Sequence, residues 1–431
     1  MILAPGKVWL LFLIVLGLCA GKVSAAKDDL LTLGLSSGQE LEIQRFAGSG
    51  SSEYRVLWLP SERGISKAHA VHAAALARMG HEVWLADLHD AYFVERNRRS
   101  ITQFPLHDIV TLIDAAASDP NAKVVLVSSS RGAQLALIAA REWQLKNPGK
   151  SRIKGLILVH AYLYATRPEV GDDAQYLPIT GATNLPVYLL DAQFSTRSAR
   201  IDELADALGE GGGQVYAQVL QGVQGGFFRR DGDDLSAADQ AAKRDYAVTL
   251  NRAIKALELS PAPIAAVAGS IETRQFSHNP PPASALTQID NAMLAPALRL
   301  MDLNQQIYVL GEQGRKVVLV NFWASWCRPC VEEIPSLHRL RDKIDNPEFE
   351  IVTVNVGEDR DRIDEFLARV PIELPLLMDN QGIVSTAWKV YVYPSSYLVD
   401  HQGKIRYAYL GALEWDSAET IKIIQSLLNR L

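Results

Sequence analysis

The run Val320-Asn321-Phe322-Trp323-Ala324-Ser325-Trp326-Cys327-Arg328-Pro329-Cys330 constrains this chain more than any other part of it. An apolar strand ends at Phe322, a short aromatic turn follows, and the two cysteines open a helix expected from about Pro329 to Lys343. Two intervening residues bring the sulfurs close enough, within a first helical turn, to close one small-ring disulfide. The free N–H groups and positive dipole end of that turn stabilise a thiolate at Cys327. Pro329 costs nothing there, because the first turn offers its missing N–H no acceptor. Cys327 therefore reads as the exposed, attacking thiol and Cys330 as the shielded, resolving one. The alternative of a structural zinc site needs about four ligands. The chain has three cysteines, the third being Cys19 in a segment expected to be removed, and His338 alone does not complete a site. An inert disulfide leaves the aromatic turn unexplained. The expected chemistry uses no metal and no cofactor.

The start of the chain sets the compartment. Lys7 precedes the apolar run Val8 to Leu18, and Val23-Ser24-Ala25 places small residues at the −3 and −1 positions of a cut before Ala26. This is the pattern of a secretory signal peptide, and the run is too short to span about 30 Å of hydrocarbon. A lipid anchor at Cys19 is the lesser alternative, since Leu18 stands where a small residue is usual. The expected location is the periplasm. A formal charge of −6 argues against nucleic acid as a main partner.

At 431 residues the chain expects two or three domains. Proline clusters at Ser260-Pro261-Ala262-Pro263 and Asn279-Pro280-Pro281-Pro282 mark a Pro/Ala-rich linker. The expected organisation is a signal peptide over 1–25, a first domain over 26–259, the linker over 260–289 and a second domain over 290–431. In the first domain, apolar runs such as Arg55 to Leu59, Val83 to Ala86, Val124 to Val127, Leu156 to Val159 and Val187 to Leu190 alternate with helical patterns. That alternation predicts a parallel sheet covered on both faces. The second domain repeats the style on a smaller scale, with strands expected at Lys316 to Phe322, Glu350 to Asn355 and Ser396 to Val399. The fold class is α/β throughout.

From about Ala295 to Leu431 the sequence resembles thioredoxin-fold oxidoreductases of the TlpA/ResA type. The residues that carry this are Val320 through Pro335, Val354-Asn355-Val356 with Glu358-Asp359, and Tyr393-Pro394-Ser395-Ser396-Tyr397-Leu398-Val399-Asp400. The resemblance implies thiol–disulfide exchange on protein thiols and disulfides of the cell envelope, and a DsbD-type membrane reductase that keeps the pair reduced. It gives Pro394 the role of a cis-proline that presents substrate backbone to the cysteines. It also gives Glu333 the position of an acidic residue near the active site, whereas Asn321 stands where thioredoxin keeps a buried aspartate.

Val127-Ser128-Ser129-Ser130-Arg131-Gly132 resembles the nucleophile elbow of the α/β-hydrolase fold, with Ser130 as nucleophile and Asp191 as the acid. The base is missing. No histidine occurs between Ala161 and Ser277, and His160, earlier in the chain than Asp191, reads as a buried or capping residue. His278 lies in the linker. Ser130 and Asp191 are expected in one crevice, with no imidazole beside the hydroxyl, and the hydrolase site reads as degenerate. The leading function is thus an exported thiol–disulfide oxidoreductase. A serine esterase using Ser130 and Asp191, and a module that binds envelope clients, are the alternatives.

Overall fold

The computed structural model describes residues 28–49, 54–121, 123–168, 172–231, 235–268, 276, 286–289, 293–312 and 316–429. The expected signal peptide with its cut after Ala25, Cys19, His278 and much of the expected linker lie outside the described residues. No helix among the described residues is long and apolar enough to cross a membrane.

The chain forms two eight-stranded sheets. The first contains β1 (Asp28–Gly34), β2 (Glu40–Phe46), β3 (Tyr54–Trp58), β4 (Glu82–Ala86), β5 (Lys123–Ser129), β6 (Ile153–Val159), β7 (Val187–Phe194) and β8 (Val215–Gln224). Their spatial order is β1-β2-β4-β3-β5-β6-β7-β8, with β3 through β8 parallel. Alternate residues of the apolar runs face opposite sides, as the strand period requires. Leu57, Leu126 and Leu158 pack with the helix Gly132–Lys146 on one face, while Val56, Val127 and Ile157 pack with the helix Tyr246–Glu258 on the other. The antiparallel hairpin β1–β2 was not anticipated. In β2, buried Leu41 and Ile43 alternate with exposed Glu40 and Glu42, the pattern of a half-covered strand rather than a continuous apolar run.

The second sheet contains β9 (Thr287–Gln288), β10 (Arg299–Asp302), β11 (Ile307–Val309), β12 (Val317–Trp323), β13 (Phe349–Val356), β14 (Leu376–Asp379), β15 (Ser395–Val399) and β16 (Ile405–Leu410). Its order is β11-β10-β14-β13-β12-β15-β16-β9. β12 lies between parallel β13 and antiparallel β15, so the strand leading to the cysteines is central and every residue in it is buried. Leu337 and Leu340 of the helix Arg328–Ile344 pack with Ile424 and Leu427 of the helix Ala418–Leu428 against one face.

Both ends of the stretch read as linker are held. Thr287–Gln288 pairs with β16 at the sheet edge. At the other end, the Gly149 N–H donates to the Ile264 carbonyl at 2.7 Å and Asn184 Nδ2 to the Ala265 carbonyl at 2.8 Å. Proline clusters report irregular backbone, and these hydrogen bonds show that irregular backbone can still dock.

The two halves meet where the parallel strands β6 and β7 end. The Arg200 guanidinium lies 4.0 Å from the Tyr391 ring centre and that of Arg362 4.1 Å from Phe194. The Ala174 N–H donates to the Tyr391 hydroxyl at 2.9 Å, and Lys389 Nζ is 3.0 Å from the Asp173 carboxylate.

Candidate active site

Cys327 is the N-cap of the helix Arg328–Ile344 and Pro329 lies in its first turn. The sulfurs of Cys327 and Cys330 are joined in a disulfide, and the Cys330 N–H donates to Cys327 Sγ at 3.3 Å. Cys327 is 6% exposed and Cys330 1%, so the expected exposed thiol is covered, though less than its partner. Both pack in an apolar cluster with Trp323, Ile334, Ile363 and Phe366, which the strand-turn-helix motif alone does not reveal. The turn before Cys327 is pinned by Glu358. Its carboxylate accepts from the Ser325 N–H at 2.7 Å, the Ser325 hydroxyl at 2.5 Å and Asn355 Nδ2 at 2.8 Å, and pairs with Arg362 Nε at 2.7 Å. The peptide bond Tyr393–Pro394 is cis and leads into β15, and the Tyr393 ring stands edge-on to Trp326 at 5.6 Å.

Glu333 is buried one turn after Cys330. Oε1 accepts from Asn321 Nδ2 at 2.8 Å, while Oε2 accepts from Trp415 Nε1 at 3.1 Å and from the Leu413 N–H at 3.2 Å. Asn321 also donates to Ser396 Oγ at 2.9 Å, linking the carboxylate to β15. None of these donors is charged. Burial therefore prevails and pushes the carboxyl up to about 7, against the opposing pull of the three hydrogen bonds.

Ser130 stands between β5 and the helix Gly132–Lys146 with φ of 51°, a left-handed conformation that costs a non-glycine residue energy. Gly132 follows because a Cβ there would fall 2.3 Å from the Pro60 carbonyl oxygen. The Ser130 hydroxyl donates to Glu62 Oε1 at 2.9 Å, and the Arg131 N–H donates to Glu62 Oε2 at 3.1 Å. Asp191 does not reach Ser130 by a hydrogen bond. Its Oδ1 instead lies 2.6 Å from His160 Nδ1 and accepts from Ser195 Oγ at 2.7 Å. His160 Nε2 accepts the Gly226 N–H at 3.1 Å, which fixes the proton of a neutral ring on Nδ1. Sequence order concealed the His160–Asp191 pair. Glu62, 68 residues before Ser130, gave no local signal at all.

A model described as the AhpC/TSA family matches residues 292–408. The chain is 30% identical over 156 residues to the thiol-disulfide oxidoreductase ResA of Geobacillus kaustophilus, covering 36% of this chain and 86% of that protein. It is 33% identical over 119 residues to ResA of Geobacillus thermodenitrificans, covering 28% of this chain and 68% of that protein. The chain belongs to the ResA family of thiol–disulfide oxidoreductases. The thioredoxin-like protein YneN of Bacillus subtilis is 29% identical over 128 residues, covering 29% of this chain and 74% of its own.

The ResA-family half holds a disulfide at a helix start, a cis-proline loop, and a buried carboxyl pushed up to about 7. Because the folded-state value of Glu333 lies above the ordinary 4.5, the folded protein binds the extra proton between about pH 4.5 and 7. Glu333 therefore favours folding most below pH 4.5, and that contribution is lost as pH rises through 7. Relative to Glu333→Gln, the wild type should lose about 3 kcal/mol of stability across this interval. Denaturant titration of both proteins at several pH values measures it. Parallel stability curves would contradict the buried-carboxyl account.

Proposed function

We propose that this protein is an exported thiol–disulfide oxidoreductase that reduces disulfides of envelope proteins, acting through Cys327 and Cys330. The observation that carries the reading is the Cys327–Cys330 disulfide at a helix start with the Glu333 carboxyl buried one turn further on. The Cys327 thiolate attacks one sulfur of a client disulfide. A new S–S bond joins Cys327 to the client, and the displaced client sulfur leaves as a thiolate and takes a proton. Cys330, deprotonated, then attacks Cys327 Sγ, closing the internal disulfide and releasing the second client thiol. Two electrons pass from the pair to the client, and a DsbD-type membrane reductase restores them. Glu333 is the group we assign to accept the Cys330 proton, since a carboxyl near 7 takes up and gives back protons at neutral pH. Pro394 presents the client backbone. Residues 26–259 and 290–431 act as two domains.

We further propose that the N-terminal domain has an α/β-hydrolase-like layout and is catalytically silent. The parallel sheet and the strained Ser130 between strand and helix support the layout. Two contacts support the silence. In such an elbow the N–H after the serine helps to bind the reaction's oxyanion; here the Arg131 N–H and the Ser130 hydroxyl are both taken by the Glu62 carboxylate. The lone pair of His160 Nε2, which a general base needs, is engaged by the Gly226 N–H. A serine esterase is the second reading, favoured by the His160–Asp191 pair alone.

Two measurements test these proposals. The full-length protein should accelerate dithiothreitol-driven reduction of insulin, and Cys327→Ser should abolish the acceleration. Activity that survives in the variant would refute the role of Cys327. With a fluorophosphonate probe, the wild type should label no faster than Ser130→Ala. Rapid labelling lost in that variant would put the esterase reading first.

A further inference from the structure

The chain is acidic overall, yet nine of its arginines line one cleft. A cavity of about 450 Å³ and another of about 670 Å³ adjoin at the carboxyl ends of β5 to β8, where the second half packs. They share Arg63, Ser130, Thr196 and Arg197. One borders Trp326 and Arg328, the other Pro329, Tyr393 and Pro394, so the cleft passes on both sides of the redox turn. Five arginines line the first cavity and six the second, two of them shared, against a single carboxylate, Glu62.

Arg96 and Arg328 pair with carboxylates at the rim, Asp87 and Asp90 for the first and Glu332 for the second, whereas the guanidinium groups deeper in the cleft are less well matched. Arg167, Arg197 and Arg229 each bury an Nε with no acceptor among the described residues. Arg229 is held below its ordinary value by burial and by the charge of Arg63 facing it, and Arg167 by burial together with Arg98. A guanidinium does not deprotonate in this range, so crowding such groups stores unfavourable energy that a bound anion relieves. The arginines are spread along the cleft rather than converging on one point, which suits a chain bearing several carboxylates better than one compact anion.

We propose that this cleft binds an acidic polypeptide segment of the client, holding it across the two halves beside Cys327 and Pro394. The proposal rests on the oxidoreductase reading and adds the chemistry that selects its substrate. The silent N-terminal domain then serves as a recognition wall, with Arg197 and Arg229 central to it.

The test separates binding from redox chemistry. Fluorescence anisotropy of a labelled, cysteine-free, glutamate-rich peptide is measured with the oxidised full-length protein, alongside a lysine-rich peptide of equal length. The acidic peptide should bind and the basic one should not, with affinity falling steeply as salt rises. The double variant Arg197→Ala/Arg229→Ala should weaken binding by about tenfold or more while retaining the wild-type melting profile of the ResA-family half. Single Arg197→Lys and Arg229→Lys variants, which keep charge but lose the planar fork, should weaken it less. Equal binding of the two peptides, or undiminished affinity in the double variant, would overturn the proposal. Citrate binding as tightly as the acidic peptide would also overturn it, in favour of a small-anion site. Reduction of neutral 2-hydroxyethyl disulfide by the wild type reports on the oxidoreductase reading separately, so failure of one is not mistaken for failure of the other.

Discussion

The carboxylate of Glu333 sits where three pieces of the C-terminal half join. It projects from the cysteine helix, receives a hydrogen bond from Asn321 on central β12, and receives two more from Leu413 and Trp415 near the last helix. Ser336, on the same helix, reinforces the junction by accepting the Trp415 N–H at 3.1 Å. A buried carboxyl with only neutral partners is costly when charged and comfortable when protonated. The three donors fix the helix against the sheet and pull the carboxyl down, but burial outweighs them and leaves it about half protonated at neutral pH, one turn from Cys330. Packing and proton chemistry depend on one group.

A second carboxylate does a different task on the other side of the disulfide. Glu358 has a charged partner in Arg362 and ties the Ser325 backbone, so it fixes the approach to Cys327. The third, Glu62, fills the polar groups of the Ser130 turn. The three buried acids differ in their partners: neutral donors for Glu333, a cation and a backbone N–H for Glu358, and the hydroxyl and N–H of the Ser130 turn for Glu62. In the N-terminal half the parallel sheet ends in a crevice, the usual place for a ligand in such sheets. Here the crevice opens against the redox turn of the other half, which joins the two halves in a single cleft.

What could be read from the sequence was local. The cysteine pair, the strand before it and the helix after it follow from spacing and capping, and Pro394 is recognisable because its loop and strand form one short motif. Small residues mark the turn at Ser130 in the same way. Long-range partners were not legible. Trp415 lies 82 residues from Glu333 and Glu62 lies 68 from Ser130, and no periodicity connects such pairs. His160 was set aside because it precedes Asp191 in the chain, although adjacent parallel strands β6 and β7 bring their ends together whatever their order. The β1–β2 hairpin carries no continuous apolar signal, because β2 alternates buried and exposed residues instead of running apolar throughout.

In the proposed exchange, Cys327 forms a covalent bond with client sulfur before Cys330 releases it. The most direct measurement of this bond is intact-protein and peptide-level mass spectrometry of the reduced, full-length Cys330→Ser variant after mixing with a disulfide-bonded peptide. A stable adduct of one peptide mass, mapped to Cys327 and reversed by dithiothreitol, is expected. Absence of the adduct, or its attachment at another residue, would mean that Cys327 is not the attacking thiol.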